Sequence, residues 1–84
     1  MMNESDKELI GDIVTRRFNI HTNLKIIFLG DYEGVFSINP YKDEDYLVTI
    51  LQLIRDLKDI LHHDVVLKSL ERKKTNYYTF ILLI

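Results

Sequence analysis

The 84-residue chain contains no cysteine. That excludes disulfides, thiolate metal sites and cysteine nucleophiles together. It also argues against a small secreted scaffold, which usually needs disulfide staples, so a cytoplasmic setting is expected. Alanine is absent as well, beside abundant Ile, Leu, Lys, Asn and Tyr. Alanine codons are GC-rich, and codons for several of the abundant residues are AT-rich. The bias is that of an AT-rich genome, such as a bacterial virus, a mobile element or a low-GC bacterium. No run of apolar residues approaches the roughly 20 needed to span a bilayer; the longest is Phe80 to Ile84. The polar N-terminus, Met1 to Asp6, is unlike a signal peptide. No basic excess is present either. The formal net charge is -2, whereas nucleic-acid binders usually carry a positive balance because phosphate contacts dominate their affinity.

What remains is an ordinary globular balance of 46% hydrophobic and 29% charged residues. It suffices for one compact domain spanning 1–84 and is too short for two cores. Ser5-Asp6-Lys7-Glu8 matches a capping box, and Leu9, Ile10, Ile13, Val14 and Phe18 recur at helical spacing. Leu24 to Leu29 and Val35 to Ile38 are short β-prone runs flanking Gly30-Asp31-Tyr32-Glu33-Gly34, which together predict a hairpin with a longer loop. Pro40, the only proline, ends the second run. Asp43 or Asp45 then caps a second helix, Asp45 to Leu61, with Leu47, Ile50, Ile54, Leu57 and Leu61 on its stripe. Tyr46, Leu51, Leu53 and Ile60 widen that stripe. The stretch 64–74 suits either strand or helix. Lys73-Lys74-Thr75-Asn76 resembles a hairpin tip and favours a strand, and Tyr77 to Ile84 is β-forming throughout. The fold class is therefore α+β in the order α-β-β-α-β-β. It is expected as one four-stranded, mainly antiparallel sheet with two helices packed on one face.

Such a sheet has apolar residues to spare. On the last strand Tyr78, Phe80, Leu82 and Ile84 point one way, while Tyr77, Thr79, Ile81 and Leu83 point the other. Ile27, Leu29 and Val35 add to a face that helices on the opposite side leave uncovered. Shielding by loops or by the N-terminal segment is the ordinary account. Cover by another protein is the sharper one, with a homodimer its simplest form.

Chemistry is harder to find. His62-His63-Asp64 offers metal-ligand types, but adjacent side chains diverge and no helical His spacing supports them. Their ordinary role is to end a helix, and no metal or cofactor is expected. Gly30 to Gly34 lacks the Gly-Lys-Ser/Thr ending of a phosphate loop. The leading expectation is a non-catalytic protein-binding module, an inhibitor or regulator that masks a surface of a larger protein target. Its contacts would be Asp31, Tyr32, Glu33, Tyr41 and Tyr77, because tyrosine carries large contact area at low entropic cost. The alternative is a nucleic-acid-associated regulator using Arg72, Lys73 and Lys74 at a hairpin tip. A third is a metal-dependent nuclease or hydrolase built on Asp31 and Glu33.

Overall fold

In the computed structural model, residues 1–18, 22–40, 46–73 and 77–84 are described. Element order is α1 (Glu4–Phe18), β1 (Thr22–Leu29), β2 (Glu33–Pro40), α2 (Leu47–Leu61), β3 (Val66–Lys73) and β4 (Tyr77–Leu83). The ambiguous stretch is a strand. All pairings are antiparallel, and the strand order across the single sheet is β1-β2-β4-β3. The expected α+β architecture is the one observed.

Helix α1 is capped two residues before the expected position. The Asp6 backbone N–H donates to Asn3 Oδ1 at 2.8 Å, and the Asn3 N–H donates to Asp6 Oδ2 at 3.1 Å. This reciprocal pair is a capping box formed by Asn3 and Asp6, in place of the Ser5–Glu8 box read from sequence. Both quartets have the right residue types; the earlier start lengthens the helix by satisfying its orphan donors further upstream. Helix α2 also differs at its start. Tyr46 occupies the N-cap without a side-chain capping bond and is buried instead, between the rings of Phe18 and Tyr78. The proposed caps Asp43 and Asp45 lie outside the described residues.

The core forms where the apolar face of each element meets the sheet. Ile10, Val14 and Phe18 come from α1, and Ile50, Leu53, Ile54 and Leu57 from α2. Phe36, Ile38, Tyr78, Phe80 and Leu82 come from the two central strands. The Phe36 and Phe80 rings stack at 5.1 Å across the β2–β4 pair. The α2 stripe is narrower than its sequence implies. Leu47, Leu51 and Ile60 are exposed, because the sheet takes only the Ile50–Leu53–Ile54–Leu57 side. Gly34 is not part of the hairpin loop. The turn is residues 30–32, and Gly34 lies within β2, opposite Phe28 and Leu82.

Candidate functional site

Strand alternation divides the sheet into two faces. One carries Phe36, Ile38, Phe80 and Leu82 into the helices. The other has no helix over it among the described residues, and it is not polar throughout. In register across the strands, Ile27 lies beside Val35, and Val35 beside Ile81. The next row runs Leu29, Glu33, Leu83 and Val66. Four of these side chains are markedly exposed: Ile27 (45%), Leu29 (50%), Val66 (47%) and Leu83 (40%). Toward the other end the same face turns polar, with Lys25, Ser37, Thr79 and Glu71 in register. The open face thus has an apolar half beside the β1–β2 turn and a polar half beside the β3–β4 connection.

A charged pair crosses the apolar half. Lys68 Nζ meets Glu33 Oε1 at 2.6 Å, so a β3 side chain reaches a β2 side chain across the intervening β4. This ion pair forms a strut beside Leu83, the residue in register with both Glu33 and Val66. The β1–β2 turn at the rim is held from both ends of the described chain. The Met2 N–H donates to the Asp31 carbonyl, and the Ile84 N–H donates to the Tyr32 carbonyl, each at 2.7 Å. Met2 and Ile84 are both buried, and Lys7 Nζ lies 3.5 Å from Asp31 Oδ1. Tyr32 is the most exposed aromatic residue described, at 61%.

Of the residues singled out from sequence, Asp31, Tyr32 and Glu33 therefore fall together at the rim of the apolar half. Tyr77 is half-buried at the far end of β4, six residues from Leu83 and so about 20 Å away at the usual strand rise. It does not join them. Tyr41 lies outside the described residues. Four residues absent from the sequence-derived contact set, Ile27, Leu29, Val66 and Leu83, are the exposed large apolar residues of this face. Three of them carried a signal, the surplus of apolar residues on β1 and β4; Val66 did not, because its strand assignment was ambiguous.

The basic candidates separate. Arg72 pairs in register with Tyr78 and sits over that ring, 5.6 Å from its centroid, on the helix-covered face. Lys73 pairs with Tyr77 on the open face, its Nζ 3.5 Å from Glu71 Oε2. Lys74 lies outside the described residues. Sequence neighbours in a strand point to opposite faces, so Arg72 and Lys73 do not form one patch. Asp31 and Glu33, the carboxylates of the nuclease reading, each face a different lysine, Lys7 and Lys68. Asp64 faces Lys58 at 3.5 Å, and His62 ends α2 in the left-handed region with φ 58°. Among the described residues, no group of three His, Asp or Glu side chains is placed to hold a metal ion. No helix is long and apolar enough to cross a membrane among those residues.

Comparison with protein-family models, with curated proteins and with solved structures finds no match.

Proposed function

We propose that the chain is a non-catalytic protein-binding module that masks a surface of a larger protein with the apolar half of its open sheet face. The observation that supports this is the set of exposed side chains Ile27, Leu29, Val66 and Leu83, which share the open face with Val35 and Ile81, are crossed by the Glu33–Lys68 pair and have Tyr32 at the adjoining turn. Exposed apolar side chains interleaved with a few charged groups and a tyrosine are of the kind found at protein interfaces. Tyr32 and Leu83 act as anchors, and Asp31 and Glu33 bias the orientation of approach. The action is steric and needs no cofactor.

Photo-crosslinking in the native cell tests this reading. A photoreactive side chain at position 83 is expected to give a discrete adduct with one other protein, and the same group at Asp59, on the helix side, none. Leu83→Asp, an exposed position, should abolish function without lowering the melting temperature. The absence of any adduct at position 83, or an equal yield from position 59, would sink the proposal.

A further inference from the structure

The two edges of the sheet are built differently. Edge strand β3 carries Lys68, Glu71, Arg72 and Lys73 and is interrupted by a register shift between Leu67 and Ser69. Charge and irregularity of this kind block strand addition. Edge strand β1 is regular and carries far less charge. It pairs with β2 over eight consecutive residues without a shift, and Lys25 is its single charged residue. Its apolar residues are incompletely covered on both faces. Leu24, Ile26 and Phe28 are only partly buried toward the helices, while Ile27 and Leu29 are exposed on the open side. No described strand pairs with its outer side. A long, regular, apolar edge is a template for another strand.

We propose that β1 pairs with β1 of a second copy, antiparallel about a two-fold axis, to give one continuous eight-stranded sheet. Three features suit a second copy of this chain. First, one receptive edge and one blocked edge produce an assembly that stops at two, because β3 terminates the joined sheet on both sides. Second, a two-fold perpendicular to the sheet keeps like faces together, and the charges then choose the register. Centring on Lys25 sets two ammonium groups opposite each other, and centring on Ile26 leaves them diagonal neighbours. Centring on Ile27 places each Lys25 opposite Leu29 of the other copy and separates the lysines. Third, that register brings the two Ile27 side chains together, merging the two apolar open-face surfaces. The inference deepens the masking reading, since the dimer would present a surface of double width. The contact is short and belongs among small interfaces, so dissociation on dilution into the micromolar range is expected.

The absence of cysteine makes the test clean. Light scattering on the unmodified chain should show the molar mass rising from 10.0 kDa toward twice that value as concentration increases. Ile27→Cys, oxidised at the concentration where the dimer forms, should give a covalent dimer on a non-reducing gel, with Ser69→Cys on the other edge remaining single. Ile27→Lys should lower the dimer fraction at least tenfold while the circular dichroism spectrum is retained. A single-chain mass at every concentration overturns the proposal and hands the edge to another protein. Crosslinking at Ser69→Cys as readily as at Ile27→Cys overturns it in favour of a different contact. Leu83→Asp, combined with a photoreactive side chain at position 32, separates this from the masking reading: it removes the foreign adduct formed from position 32 and leaves the β1–β1 dimer intact.

Discussion

Two glycines show how much one methyl group decides. A Cβ on Gly34 would lie 2.8 Å from Phe36 Cε2 and 2.9 Å from Cζ. That ring cannot swing aside, because it is stacked on Phe80 within the core. Gly34→Ala is expected to destabilise the protein by about 1–3 kcal/mol through overpacking. At about 4–8 °C per kcal/mol for a domain of this size, the fall in Tm is easily read by calorimetry. Gly11 is the opposite case. It lies inside α1, and a Cβ there meets nothing within 4 Å. Gly11→Ala should stabilise by about 0.5–1 kcal/mol, mainly by reducing the freedom of the unfolded chain. Sequence separated these two incompletely. Gly11 lies off the Ile10–Val14–Phe18 stripe, but Gly34 read as a turn residue, because the aromatic ring that requires it comes from packing two residues further on.

At the level of elements, Tyr46 shows which of two effects wins at a helix start. Replacement by Ser would supply the side-chain cap that α2 lacks at this position, worth about 1 kcal/mol. It would also remove a buried ring that contacts Phe18 and Tyr78, a loss of about 3–5 kcal/mol for a large aromatic. Packing outweighs capping, so Tyr46→Ser should be strongly destabilising in urea unfolding, and a rise in the midpoint would show the cap to matter more. Element order was legible because each helix has a 3.6-residue stripe and β1, β2 and β4 each have a β-prone run, while β3 was favoured only by the hairpin-like residues 73–76. Helix faces were less so. Leu47 and Leu51 fit the α2 stripe as well as Ile50 does, and only the position of the sheet decides which side is covered. Arg72 and Lys73, adjacent in sequence at the expected hairpin tip, fall on opposite faces of the sheet because strand alternation separates neighbours.

Over the whole molecule, the accessible surface of 5282 Å² is close to the roughly 5,200 Å² expected for a compact monomer of this mass. The exposed apolar residues, Ile27, Leu29, Val66 and Leu83 on the sheet and Leu47, Val48, Leu51 and Ile60 on α2, therefore do not reflect a loosely folded chain. The Glu33–Lys68 strut crosses this surface, and both groups are partly solvated. Lys68→Ala should change stability by no more than about 1 kcal/mol, as usual for an exposed pair. It should nevertheless alter photo-crosslinking from position 83, since it removes the charged rim beside Leu83. An unchanged adduct yield would show that the strut has no part in recognition. The surplus of apolar residues on the last strand was visible in sequence. Its concentration at one end was not, because that depends on the β1-β2-β4-β3 order, which brings Ile27, Val35 and Ile81 into one row.

The turn at residues 30–32 accepts hydrogen bonds from both Met2 and Ile84, on neighbouring carbonyls. The path from one end of the described chain to the other thus almost closes on itself. A peptide linker of a few glycines joining residue 84 to residue 1 would turn the chain into a ring without moving either end far. Such a circular molecule should resist heat better than the linear one, because its unfolded form has fewer conformations to explore. The same near-closure means that a fusion at either end sits beside the rim of the open sheet face, where a bulky tag would itself compete for the surface.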